Sequence, residues 1–348
     1  YVLELELKSG TYLMDGREHF RSFQNQSLTY LDVMKMINAP YGESGVIVED
    51  SVEAPVDFLL QYKETDWEFI KRIASRFGLA VTPEIKREGP FYYVGSQYYE
   101  EHALSASAKC RISRYVGAFM QHGANGEGAP REQDYVEYQI STRQIYNLWD
   151  LVRMENLAGH IYRIHSAYCK GELVHIYFLR QRQAFKSLPI FNECQQGCSF
   201  QAEVKAVKQD KVQVSLKGDE NADQTITRWF PYSTGYSSPD GAGWYCMPET
   251  GDRVRLQIPD QAEEHGYVIS AVHLETGHDR RMPDHKSFKT KYGKELLFTP
   301  DSLELTNHQG MSVRIIDGQG IQLASDKDIS IIAGGNMMIS SEDASLTI

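Results

Sequence analysis

The chain has 348 residues, 24 % of them charged and 41 % hydrophobic, with a formal net charge of −11. Such a length leaves room for two or three domains, and such a mixture belongs to a folded chain rather than a disordered one. The acidic balance argues against a nucleic-acid reader, because nothing offsets a phosphate lattice, and no run approaches the roughly 18 apolar residues of a membrane helix.

No signal peptide opens the chain. The five cysteines, Cys110, Cys169, Cys194, Cys198 and Cys246, are odd in number and scattered, which is not a disulfide framework and implies a reducing compartment. The sequence starts without Met and stops inside a repeat, so the native protein is expected to be longer.

In chain order, Val2, Leu3, Leu5 and Leu7, then Tyr12 and Leu13 before Asp15-Gly16, predict strands joined by tight turns. Ser27 or Thr29 caps a short helix through Leu28, Leu31, Val33, Met34 and Ile37, ended by Pro40. More strand is expected around Val46 to Val48.

The stretch Gln61 to Gly78, QYKETDWEFIKRIASRFG, is the clearest local signal. Thr65 and Glu68 have capping-box spacing, Trp67, Ile70, Ile73, Ala74 and Phe77 share one helical face, and Gly78 stands where a left-handed cap belongs. Asp66, Glu68, Lys71, Arg72 and Arg76 are assigned to the outer face. The acidic Glu64, Asp66 and Glu68 suit a first helical turn, where the dipole favours carboxylates, better than catalysis.

From Phe91 to Leu188 strands are expected at Phe91–Val94, Ala118–Met120 and Tyr135–Tyr138, with a hairpin at Lys170-Gly171. Leu173 to Leu179 is apolar on both faces and predicts a strand covered on both. Trp149 to Val152 read as a helical interruption. The composition shifts near Pro189 to Gly197, a candidate boundary, and Cys194 and Cys198 in that linker lack the second pair a zinc site needs.

Residues 200 to 273 hold period-two strands at Gln201–Val207, Lys211–Leu216, Gly251–Ile258 and Gly266–Val272, around a long loop rich in Pro, Gly and aromatics. This suits a small Greek-key barrel of oligonucleotide/oligosaccharide-binding type. Trp229, Phe230 and Tyr232 are flanked by Asp219, Glu220, Asp223, Asp240, Glu249 and Asp252, so the basic groove of a nucleic-acid binder is missing.

The tail repeats in eights: SVRIIDGQ, GIQLASDK, DISIIAGG, NMMISSED. Val313, Ile315, Ile321, Leu323, Ile329, Ile331, Met337 and Ile339 hold the second and fourth places, which puts one apolar stripe on a series of short strands separated by turn residues. One such stripe with two open edges cannot bury itself, so it requires further copies. A pair of ordinary hairpins is the alternative reading.

The chemistry of the remaining residues is sparse. No G-x-S-x-G, H-E-x-x-H, Walker or dinucleotide pattern is present. His160 and His165 lie on one strand facing opposite sides, and His273, His278 and His285 lie in or beside a polar linker. No catalytic residue, metal site or cofactor is expected.

The tract TRWFPYSTGYSS…WYCMPETGDRVRL…GYVISAVH resembles the barrel of VgrG spike proteins and of the related contractile-phage tail spike. The QYKETDWEFIKRIASRFG segment is similar to a helix in their hub half, and the octads to the start of their needle. The order hub, barrel, needle is kept over nearly the whole chain. The resemblance implies a mainly β fold: β-rich hub domains with a few helices over residues 1–190, a small barrel over 195–273, and a linker with the start of a triple-stranded β-helix over 274–348.

It further implies a non-enzymatic homotrimer that caps an Hcp-like hexameric inner tube, sits among baseplate components, and punctures a target envelope to deliver effectors. Such a protein is made in the bacterial cytoplasm, assembled on a contractile sheath baseplate and ejected outside or into a target cell. The implied partners are a tip protein or effector beyond Ile348 and, transiently, the target membrane, but not nucleic acid. The eight octad residues become the trimer core, while no motif marks the residues that dock the tube. Only Leu274 to Ser287 separate barrel from needle, too short for the lysozyme domain of the phage relative. The alternatives are an envelope-degrading enzyme and a glycan-binding tail fibre.

Overall fold

The computed structural model describes residues 5–48, 50–95, 100–104, 109–117, 119–120, 131–154, 157–269 and 282–341. It divides into two units, Tyr1–Val272 and His273–Ile348. No helix among the described residues is long and apolar enough to cross a membrane. The fold is mainly β, with few helices and one nearly closed, barrel-like sheet.

The first unit opens with β1 (Glu18–Phe23), α1 (Tyr30–Asn38), β2 (Gly45–Val48), β3 (Leu59–Thr65), α2 (Asp66–Arg76), β4 (Val81–Pro83) and β5 (Phe91–Val94). Both helices start in a full capping box, Thr29 with Asp32 and Thr65 with Glu68, so two otherwise orphaned backbone donors are satisfied at each. Gly78 follows α2 with φ +66°, the left-handed conformation that a glycine adopts without steric cost. Val33, Met34 and Ile37 of α1 meet Phe69, Ile70, Ile73 and Ala74 of α2, together with Tyr92 and Val94 of β5, in one core. Residues 10–15 form a 3-10 turn instead of the expected strand, and it leaves Tyr12 and Leu13 exposed. Leu5 and Leu7 lie in no strand, and Val2 and Leu3 are outside the described residues.

β6 (Glu101–Ala103), β7 (Cys110–Arg114), β8 (Val136–Thr142), β9 (Leu151–Met154), β10 (Leu157–Cys169) and β11 (Glu172–Arg180) form a six-stranded sheet in the order β6-β9-β10-β11-β8-β7. The β10–β11 hairpin turns at Lys170 (φ +52°) and Gly171 (φ +87°), as the sequence suggests. Two expectations fail here. β11 is buried on one face only, and its other face is dressed by long side chains such as Arg163, whose guanidinium lies 3.8 Å from the Phe178 ring centre. Trp149 to Val152 are not helical: Trp149 takes φ +72° and the chain then enters β9. Phe119 and Met120 also lie outside any strand, and Ala118 is not described.

The barrel comprises β12 (Ser199–Lys208), β13 (Lys211–Leu216), β14 (Phe230–Pro231), β15 (Arg253–Gln257) and β16 (Tyr267–Ile269), in the order β14-β13-β12-β15-β16. A parallel bridge between Tyr232 and Val268 brings its two edges together, with the Ser233 amide donating to the Val268 carbonyl at 2.8 Å. Removing open edges in this way protects short strands from wrong pairing. Its core of Val204, Val212, Val214, Leu216, Phe230, Leu256 and Val268 also takes in Phe58 and Leu60 from the β3 region.

The second unit is an antiparallel meander of β17 (Lys286–Lys289), β18 (Glu295–Phe298), β19 (Ser302–Thr306), β20 (Ser312–Ile316) and β21 (Gly320–Ala324). The first two octads are therefore the adjacent strands β20 and β21. Residues 325–341 belong to no strand in the single chain.

Candidate assembly face and the buried joint

Directly paired residues of an antiparallel ladder point to the same side of the sheet. In the second unit the pairs run Phe288–Leu296, Leu296–Leu305, Leu305–Val313 and Val313–Leu323 in one row. Phe298–Leu303, Leu303–Ile315 and Ile315–Ile321 make the next. Two apolar rows thus cross the meander on one face, while Glu304, Arg314 and Gln322 line up on the other, with Arg314 3.3 Å from Glu304.

The apolar face is uncovered in the single chain. Ile321 is 71 % exposed and Leu323 62 %. A shallow groove of about 350 Å³ follows Leu305, Val313, Leu323 and Ile329. The eight octad residues divide into two sets. Val313, Ile315, Ile321 and Leu323 are brought onto one face by β20 and β21, whereas Ile329, Ile331, Met337 and Ile339 lie in the unpaired stretch, all exposed. Phe288, Leu296, Phe298, Leu303 and Leu305 extend the face, and sequence reasoning missed them. Their alternation, F-x-x-x-x-x-x-x-L-x-F and L-x-L, was legible but lies outside the octads.

The second feature is ionic and lies in the first unit. Arg72 of α2 is almost wholly buried: its Nε donates to Glu64 at 2.7 Å, Nη1 to Glu263 at 2.8 Å, and Nη2 to the Leu60 carbonyl at 2.8 Å. Arg76 reaches Glu263 at 2.8 Å, and the Gln195 side chain donates to the same carboxylate at 3.0 Å. Helix α2, strand β3 and the barrel turn at Glu263 are thereby clamped together. Burial penalises the Glu263 carboxylate, but Arg72 and Arg76 outweigh it and hold its carboxyl below the usual range.

Beside this clamp, Arg21 donates to Asp66 at 2.8 Å and to Glu220 at 3.2 Å, and His19 Nδ1 lies 2.8 Å from Glu220. Ser22 bonds Asp219, and Arg228 pairs with Asp57. Phe20 stacks on Phe200 at 5.4 Å, and Phe58 meets Phe230 edge-on at 5.0 Å. Asp66 and Arg72, assigned from sequence to a solvated helix face, are buried: Asp66 accepts from Arg21, Tyr41 and Gln61, while Arg72 is held by Glu64 and the Leu60 carbonyl of β3 and by Glu263 of the barrel.

These carboxylates are paired with guanidinium groups and amides. Among the described residues no three His, Cys, Asp or Glu side chains converge as a metal-ligand set. His160 is buried with Nδ1 2.9 Å from the Trp149 carbonyl, and His165 is exposed on the same strand. His273 and His278 lie outside the described residues. Cys198 Sγ donates to the Cys194 carbonyl at 3.1 Å, and both thiols are free. Ser166 Oγ lies 2.6 Å from His175 Nδ1, but the buried Nε2 has no partner among the described residues that would orient the ring as a base.

The arrangement defines a class: a β-rich chain with a clamped barrel in its first unit and, in its second, a sheet whose apolar face is left open. No family model matches the sequence, and no curated protein matches it. Among solved structures, a chain of the half-lidded Francisella PdpA-VgrG complex superposes with a TM-score of 0.54 at 10 % identity, over 90 % of this chain and 70 % of that one. The lidded form of the complex gives 0.55 at 9 %, over 91 % and 64 %. The 43 kDa tail protein of prophage MuSo2 from Shewanella oneidensis gives 0.40 at 12 % identity, over 52 % and 71 %, too weak a likeness to argue from. The chain shares its fold with a chain of the Francisella complex.

Proposed function

We propose that this chain is the structural spike of a contractile injection machine, of the VgrG kind. In this reading it is a homotrimer without enzymatic activity that caps an Hcp-like inner tube and is driven through a target envelope. The observation that carries the reading is the open apolar face on β17 to β21, which continues into the unpaired octads. A five-stranded sheet with one apolar face exposed is stable when that face meets another of its kind. Three copies placed about an axis bury all three faces, and the unpaired backbone of residues 325–341 finds partners in neighbouring chains. The shared fold with a chain of a VgrG-containing complex supports the same reading.

At roughly 25 cal/mol per Å² of apolar area, burial repeated along such a rod contributes tens of kcal/mol before chain entropy is subtracted. Closed edges also slow unfolding, which suits a part that must survive impact. The ionic clamp fits the same task, because it makes α2, β3 and the barrel move as one body under load. The tube protein docks at the hub end, baseplate proteins surround it, and a tip protein or effector follows the needle. The protein is made in the bacterial cytoplasm and leaves with the fired machine.

Negative-stain images of the purified full chain test this proposal. A ring with a thin rod on its axis supports it, and isolated small particles without a rod refute it. Incubation with cell-wall polymer is expected to release no soluble fragments, and release above the rate of a heat-killed control refutes the non-enzymatic part.

A further inference from the structure

The sequence of Leu173 to Leu179 asks for cover on both faces of β11, and the structure supplies it on one. Tyr177 and Leu179 face the core of the six-stranded sheet. Val174, Ile176 and Phe178 face the other way, half-exposed, and join none of the hydrophobic cores of the described residues. An antiparallel sheet that turns one face to water carries polar side chains there. Three apolar side chains in a row on that face mark a surface that something else covers.

The register fixes what surrounds this stripe, because directly paired residues point the same way. One row across four strands runs Arg163, Phe178, Gln139 and Arg111, and the next runs His165, Ile176 and Ser141. Arg111, Arg163 and His165 are all exposed. Two carboxylates share the face, and each is already matched. Glu137 is buried against Arg180 at 3.3 Å, with Tyr115 and Tyr162 donating to it, and Glu172 pairs with Arg143 at 2.6 Å. Among the described residues neither Arg111 nor Arg163 has an ion-pair partner. Arg163 rests on the Phe178 ring, 3.8 Å from its centre, and a stacked guanidinium keeps its N–H edge available for a bidentate carboxylate. In a chain with 47 acidic and 36 basic residues, a face whose unmatched charge is positive runs against the prevailing sign.

We propose that this face docks an acidic amphipathic helix of a partner protein, which lays an apolar stripe along Val174, Ile176 and Phe178 and sets carboxylates against Arg163 on one side and Arg111 on the other. From Val174 to Phe178 the strand advances about 13 Å. A helix of about nine residues, with apolar residues three and four apart, covers that length. Helix against sheet is a packing that buries one stripe of each. The apolar contact supplies the affinity and the arginines the selectivity, because exposed ion pairs contribute little by themselves. The site uses no octad residue and is independent of the spike reading.

The test is fluorescence anisotropy of the full chain with a labelled helical peptide of about 16 residues, leucines on one stripe and glutamates elsewhere. One comparison peptide carries glutamine for glutamate, and a second carries alanine for leucine. The glutamate–leucine peptide is expected to bind at least about tenfold more tightly than either comparison at low salt. Its lead over the glutamine peptide is expected to shrink in about 0.5 M NaCl. Hydroxyl-radical footprinting of the complex is expected to lose labelling at Ile176 and Phe178. The double variant Arg111→Glu, Arg163→Glu changes exposed residues only and is expected to reverse the preference toward a lysine–leucine peptide. Equal binding of the glutamate–leucine peptide and either comparison, no binding up to about 1 mM, unchanged labelling at Ile176 and Phe178, or an unchanged preference in the double variant overturns the proposal.

Discussion

Arg72 Nη1 and Glu263 Oε1 lie 2.8 Å apart with both side chains buried, although the residues are 191 positions apart in the chain. Breaking a buried pair from one side leaves an uncompensated charge, which costs more than the pair itself is worth. Arg72→Met strips Glu64 of its guanidinium and leaves Glu263 with Arg76 and the Gln195 amide. The expected loss is about 3–5 kcal/mol, read as a lower denaturant midpoint by tryptophan fluorescence. Adding Glu64→Gln and Glu263→Gln to Arg72→Met is expected to recover a large part of it, because the stranded charges are gone.

The same clamp sets a pH dependence. The Glu263 carboxyl is held below its ordinary value in the folded state by Arg72 and Arg76, against the opposing effect of burial. An acid with a depressed folded pKa contributes stability that is complete above its unfolded value of about 4.3 and is lost as pH falls through the folded value. Glu263→Gln removes that contribution. Denaturation curves of the two proteins at constant ionic strength are expected to be well separated at pH 7 and to converge below about pH 4; a constant gap would show that Glu263 is not stabilised as a carboxylate.

Gly89 is a position where two backbones meet. It has φ +90°, and a Cβ there would lie 2.1 Å from the Glu43 carbonyl oxygen. Neither the conformation nor the space suits a side chain. Gly89→Ala is expected to destabilise the first unit by about 2 kcal/mol or more, measured by thermal unfolding, whereas Gly42→Ala, with a positive φ but nothing within 4 Å, should cost less.

The features that stand on local spacing were legible in the sequence: the capping box of Thr65 and Glu68, the hairpin at Lys170-Gly171, and the barrel strands. What failed depended on long-range packing. The wheel of α2 assigns Arg72 to solvent, and its burial is explained by partners brought from elsewhere in the fold, Glu64 and the Leu60 carbonyl of β3 and Glu263 of the barrel. Residues 10–15 alternate like a strand but curl into a 3-10 turn. At Trp149 no local pattern foretells a left-handed bulky residue. Of the candidate assembly face, the octads marked Val313, Ile315, Ile321 and Leu323, and the register of β17 to β19 was needed to extend it.

Assembly of the spike requires that the apolar face of the second unit meet copies of itself. Light scattering of the purified full chain at micromolar concentration measures this directly. The expected result is three times the 39.7 kDa chain mass, and a fall to a single chain mass when Ile321→Asp and Ile329→Asp are combined, since buried unpaired carboxylates would meet near the axis. A wild-type protein that runs at one chain mass, or a double variant that keeps the trimer, contradicts it.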